Sequence, residues 1–128
     1  MVISDEKLNR RLENKALSYL ARFASSEANL RQVLIRFGRR KCWPKDGDKD
    51  EEPAFLIQLN QAIDRLVIRY AQLGYVDDAA YAHARARGMR VRGTSGRHIS
   101  HYLKAKGVNG DVISQTMDDD NIGSMDAE

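Results

Sequence analysis

The sequence predicts an all-α protein of tandem three-helix repeats, an elongated helical array closed by an acidic, disordered C-terminal tail. Three observations carry that prediction. Apolar residues recur at intervals of three and four along most of the chain, which lines one face of a helix. Only 2 Pro occur in 128 residues, and the helical patterns are long, which argues against an all-β fold. A pattern is also written twice. Ser26, Leu30, Leu34 and Gly38 stand four apart, and Ser95, Ile99, Leu103 and Gly107 repeat them 69 residues later. Each set follows a helix carrying a tyrosine, Tyr19 or Tyr81. The chain therefore reads as helix, capped short helix, glycine stop and connecting helix, twice over. The plainer alternative is that short helices simply begin and end in this way.

Taken in order, Leu8, Leu12, Ala16, Tyr19, Leu20 and Phe23 give the first helix one apolar face. Ala24-Ser25-Ser26 interrupts it. The Ser26 hydroxyl can cap the next helix, with Glu27 at the positive end of its dipole. Leu30, Val33, Leu34 and Phe37 follow at helical spacing, and Gly38 stands where a left-handed residue would end the helix. Residues 39–52 read as an inserted charged loop, because Pro44, Gly47 and the mixed charges disfavour regular structure. Pro53 suits a first helical turn. Phe55, Leu59, Ala62, Ile63, Leu66, Val67, Tyr70 and Leu73 then form the longest amphipathic helix, stopped by Gly74. The first repeat thus covers residues 1–74.

The second repeat covers 75–117. Asp77 is placed to cap, Asp78 to sit on the dipole, and Val76 to staple onto Tyr81. The helix that follows is rich in Ala and Arg and ends near Arg90. Gly93-Thr94-Ser95-Gly96 is a turn. Ile99, Tyr102 and Leu103 mark a short helix ending at Gly107. Val108 and Asn109 repeat the staple and cap, with Ile113 as partner, and the last helix runs to Met117. Residues 118–128 are the acidic tail and show no apolar face.

Charge is more informative in its distribution than in its sum of +3. Residues 79–107 carry seven cations, all three His and no carboxylate, whereas residues 108–128 carry six acids and no Lys or Arg. Like charges repel, so folding alone does not explain the basic stretch. Its bland reading is a solvated, Arg-rich face. Its functional reading is a surface for a polyanion or an acidic protein groove. On charge and predicted exposure, the binding residues are Arg85, Arg87, Arg90, Arg92, Arg97, Lys104 and Lys106. The −6 tail would compete with that surface within the molecule. One cysteine, Cys42, rules out an internal disulfide framework and fits a reducing, cytoplasmic setting. No signal peptide and no membrane span is legible.

Catalytic patterns are missing. His98 and His101 lie three apart on a predicted helix with His83 upstream, but a zinc site needs further ligands, and neighbouring Arg side chains oppose a dication. Asp77 and Asp78 precede a helix and read as capping residues. Asp118 to Asp120 have no structured partners for a magnesium ion. Gly93-Thr94-Ser95-Gly96 lacks both the lysine and the preceding strand of a phosphate-cradling loop. Trp43 would pack over a helix end or stack on a base, and Tyr81 and Tyr102 suit a core. No catalytic, metal or cofactor site is expected, and the protein is expected not to be an enzyme.

Two stretches add a family resemblance. Gly74-Tyr75-Val76-Asp77-Asp78-Ala79-Ala80-Tyr81-Ala82 resembles the Gly-Tyr-Leu-Asp-Asp-x-x-Phe/Tyr-Ala/Val signature of the bacterial RecX family of recombination regulators. Arg92-Gly93-Thr94-Ser95-Gly96-Arg97-His98-Ile99-x-x-x-Leu103-x-x-Lys106-Gly107-Val108 is similar to that family's Gly-x-Gly-x-x-x-Ile-x-x-x-Leu-x-x-Lys-Gly-Ile run. Tyr19-Leu20-Ala21-Arg22 and Ser26-x-x-x-Leu30-x-x-x-Leu34 resemble its first repeat. The resemblance implies three-helix repeats and no catalysis. It implies a protein that docks in the groove of the RecA–single-stranded-DNA filament and inhibits ATP hydrolysis and strand exchange, or limits filament growth, in DNA repair; a cytoplasmic monomer is expected. Single-stranded DNA would be touched weakly or indirectly. Family members usually carry a third three-helix repeat where this sequence has its acidic tail. An independent, sequence-indifferent helical nucleic-acid binder is the alternative, and a structural adaptor with solvated charges is the third possibility.

Overall fold

Ser4 starts the first helix by accepting the Lys7 amide at 3.2 Å, ahead of Asp5 and Glu6 at the positive dipole end. The computed structural model describes residues 3–126, with side chains described from 3 to 119, and every regular element among them is helical. The order is α1 (Asp5–Leu20), α2 (Glu27–Lys41), a 3₁₀ turn (Lys49–Glu51), α3 (Glu52–Gln72), α4 (Asp78–Val91), α5 (Gly96–Ala105) and α6 (Gly110–Asp126). The chain divides into two compact units. One holds residues up to Ala24 together with Leu30–Val76, and the other holds Ser25–Asn29 together with the residues from Asp77 onward.

The first unit is built around long apolar side chains. Leu8, Leu12 and Ala16 of α1, Leu30 and Leu34 of α2, and Phe55, Leu59, Ile63 and Val67 of α3 are buried in one cluster. Arg11 donates to the Lys41 carbonyl at 2.8 Å, so a cation meets the negative end of α2. Arg31 pairs with Asp64, which joins α2 to α3.

Three expectations change here. α1 stops at Leu20, and Phe23 lies outside it, half exposed, with its ring 5.1 Å from that of Tyr19. Gly38 does not end α2; it is buried inside the helix, where the Leu59 side chain fills the space a Cβ would take. The glycine therefore serves close packing and has no positive φ. With α2 running to Lys41 and a 3₁₀ turn at Lys49, the inserted loop shrinks to Cys42–Asp48. Trp43 packs over the start of α3, its ring 5.0 Å from that of Phe55.

The second unit has a smaller core of Tyr81, Ala82, Ala86, Ile99, Leu103 and Val108, with Val112, Ile113 and Met117 packed against it. The alanines of α4 present little bulk, so α6 comes close along it. Asp77 caps α4 through the Ala80 amide at 3.0 Å, and Asn109 accepts the Asp111 amide at 2.7 Å before α6. Ser26 accepts the Asn29 amide at 3.1 Å and donates to the Lys106 carbonyl at 3.0 Å. Asp78 takes the Glu27 amide at 2.8 Å, a second cap beyond the dipole role expected of it. Val76 is buried in the core of the first unit and Tyr81 in that of the second.

Residues 118–126, expected as an acidic tail, continue the last helix. α6 continues past Met117 to Asp126, although Asp118 to Asp120 crowd acids toward a negative helix end. Gln115 donates to Asp119 at 3.0 Å, one turn apart, and Asp119 also meets His83 on α4. Residues 127 and 128 lie outside the described residues.

Candidate functional site

Helical geometry distributes the seven cations singled out above. Residues two apart on a helix point nearly opposite ways, so Arg85 and Arg87 leave α4 on different sides. Arg85 stands over Tyr81 and Tyr102, 5.7 and 5.9 Å from their ring centroids, and Lys106 stands 5.6 Å from that of Tyr102. Arg87 and Arg90 line a groove formed with α6. Arg97 and Lys104 line a second groove with Ser100, His101, Gly110 and Ile113. Arg92 sits exposed at the end of α4. The seven residues therefore form three groups and one end residue, all on the second unit. Arg85, Arg87, Arg92, Arg97, Lys104 and Lys106 make no ion pair with a described carboxylate.

The groove against α6 is the larger, with a volume of about 700 Å³. His83, Arg87 and Arg90 enter it from α4 at i, i+4 and i+7, one helix face. Asp119 and the buried Thr116 face them from α6, and Gly93, Thr94 and Ser95 form the rim. His83 places Nδ1 2.7 Å from the Ala79 carbonyl and Nε2 2.9 Å from the Asp119 carboxylate. Both partners accept, so the two bonds form together only when both ring nitrogens carry hydrogens, and the arrangement favours the imidazolium. The bond to Asp119 raises the His83 pKa first, and the Ala79 carbonyl adds to it, while burial and Arg87 oppose. The same bond lowers the pKa of Asp119. The sequence offers His83 no ligand set and places Asp119 in the acidic tail. The spacing of His83, Arg87 and Arg90 was the one signal available.

The remaining candidates resolve locally. Burial pushes Tyr81 up to about 12, with the Tyr102 hydroxyl adding to it and Arg85 pulling the other way, so it is a neutral core phenol. Cys42 is buried, and desolvation raises its thiol pKa against the pull of Arg11, which favours the protonated thiol. His98 turns its Nδ1 to the Ser95 hydroxyl at 2.9 Å, beside the cap of α5. Among the described residues no three of His, Cys, Asp and Glu gather where they could hold a metal ion. No described helix is long and apolar enough to cross a membrane.

Residues 77–117 match the model of the RecX second three-helix domain, which takes in α4, α5 and the start of α6. The regulatory protein RecX of Myxococcus xanthus (strain DK1622) is 33% identical over 108 residues. That match covers 84% of this chain and 54% of the relative, so the chain spans about half the relative's length. No solved structure matches.

Proposed function

The chain belongs to the RecX family, and on that premise we propose that it is a regulatory protein without catalysis of its own, which binds the RecA–single-stranded-DNA filament and restrains RecA. The observation that carries this reading is the set of cations on the second unit that no described carboxylate neutralises. Folding sets Arg85 and Lys106 over tyrosine rings but gives none of these six a described carboxylate, and all of them stand within the segment that matches the family. A filament groove offers acidic protein walls next to phosphates, which such side chains engage together. Bound there, a small helical unit opposes the conformational cycle tied to ATP hydrolysis and strand exchange, or blocks monomer addition. The setting is the cytoplasm, where RecA works on single strands, and the acting species is a monomer.

RecA ATPase on single-stranded DNA, with and without this protein, tests the reading. Inhibition is expected, and an unchanged rate overturns it. Replacing Arg85, Arg87 and Arg92 with Glu should abolish inhibition while helicity is retained; persistence of inhibition would remove the basic faces from the mechanism. The same uncompensated cations favour a second reading, direct nucleic-acid binding without RecA. In that case log affinity falls with log salt by ~0.7 per phosphate contact on single strands, and coating the DNA with RecA does not improve binding.

A further inference from the structure

We infer that the outward face of α3 is a self-association surface, on which a second copy of this chain lies antiparallel, with Ile57 of each copy against Ile68 of the other. The inference goes beyond the filament reading and does not rest on it.

α3 buries one face in the first unit and leaves the opposite face apolar at two points. Phe55, Leu59, Ile63, Leu66 and Tyr70 belong to the core. Ile57 and Ile68 point away from it, 60% and 52% exposed. They lie three turns apart, so they share a face to within about 20° and stand about 16 Å from each other along the axis. Single exposed isoleucines are ordinary. These two belong to a longer series. Ala54, Ile57, Gln61, Asp64, Ile68 and Ala71 follow one another at steps of three and four, the spacing of a helix-pair seam.

That seam reads alike from either end: small, apolar, polar, polar, apolar, small. Two antiparallel copies related by a two-fold axis through the middle of α3 therefore match along the whole helix. Ala54 opposes Ala71, Ile57 opposes Ile68, and the Gln61 amide donates to the Asp64 carboxylate of the other copy. Asp64 is paired with Arg31 of its own unit, which offsets its charge. Beside the seam, Arg65 faces Asn60 of the other copy, so no like charges meet. A parallel copy sets Asp64 on Asp64 and Arg65 on Arg65, which repel. A slip of one heptad sets Ile68 against Asp64. The polar centre thus fixes direction and register. A single helix pair is small for a specific interface, and docking costs are paid in full, so the Kd is on the order of 100 µM. The dimer gathers at high concentration and returns to monomer on dilution.

Sedimentation equilibrium of the full chain, from well below to well above that Kd, tests the surface. A passage from monomer to dimer is expected, and a monomer throughout overturns the inference. Ile68→Glu sets a carboxylate against Ile57 and should weaken the dimer by about tenfold or more at unchanged helicity; an unweakened dimer overturns the assignment to this face. Register is tested in a Cys42→Ala background. Ile57→Cys chains mixed with Ile68→Cys chains should form a disulfide under mild oxidation. Either variant alone should not, because like positions lie about 16 Å apart, beyond the span of a disulfide. A mixture that stays unlinked, or either variant linking to itself as readily as the mixture does, overturns the antiparallel pairing.

Discussion

α2 and α5 share one pattern of Ser, apolar, apolar and Gly at four-residue spacing, and the two helices use its last residue in opposite ways. In both, the serine caps: Ser26 accepts the Asn29 amide and Ser95 the His98 amide. In both, the two apolar residues are fully buried: Leu30 and Leu34, Ile99 and Leu103. Gly107 then ends α5 with φ +81° and presses on Ala28, whereas Gly38 lies inside α2 against Leu59. One glycine supplies a backbone conformation and the other supplies room. The pattern fixes caps and core because each of those depends on a local bond or a face. It leaves the glycine open, because that depends on what packs opposite.

The largest test of this contrast is Gly107→Ala. It places a Cβ in left-handed backbone, at ~1–2 kcal/mol, and crowds Ala28, at ~1–3 kcal/mol. Urea unfolding should show a loss of ~2–5 kcal/mol, the sum of those two terms. Adding Ala28→Gly removes the crowding and keeps the strain, so a double-mutant cycle should return part of the loss. Full recovery would mean that the positive φ costs nothing here.

The caps come next in size. Ser26→Ala removes a cap and also strips the Lys106 carbonyl of its donor, for ~1–3 kcal/mol in total. Ser95→Ala removes the cap of α5, for ~1 kcal/mol. Equal losses in the two variants would mean that the bond from Ser26 to Lys106 adds nothing.

Gly38→Ala sharpens the same comparison from the other side. In an exposed helix Gly→Ala stabilises by ~1 kcal/mol, but here the methyl meets Leu59, and overpacking costs ~1–3 kcal/mol. A net loss of ~1 kcal/mol is expected from those two opposed terms. A gain would show that Leu59 moves aside freely and that this glycine is a propensity defect.

Caps, helix order and most core positions were legible because they rest on contacts within a few residues. Asp77, Ser95 and Asn109 cap as their positions require, and the apolar face of α3 is buried from Phe55 to Tyr70. What escaped depends on partners far along the chain. Asp78 caps Glu27 across 51 residues, and Asp119 meets His83 across 36. Composition marked residues 118–128 as an unstructured tail because acids dominate there. The pairing of Asp119 with His83 is invisible without knowing that α4 lies beside α6. The basic stretch was found by its charge, but its division into separate groups follows from helical phase and from Tyr102, which draws Arg85 and Lys106 to itself.

The smallest effect sets the second unit apart from the first by its response to pH. His83 titrates above its ordinary 6.5. Its contribution to stability is therefore full below 6.5 and is lost as pH rises through the raised folded value. Asp119 titrates below its ordinary 3.8, so its contribution is full above 3.8 and is lost as pH falls through the depressed folded value. Between those limits the pair tethers α6 to α4. NMR titration of the ring should place His83 above 6.5, and Asp119→Asn should bring it back down by removing the leading cause. Arg87 opposes the shift, so Arg87→Gln should move His83 further up. A His83 that titrates at or below 6.5 in the wild type would mean that the bond to Asp119, the leading cause of the rise, does not form in solution.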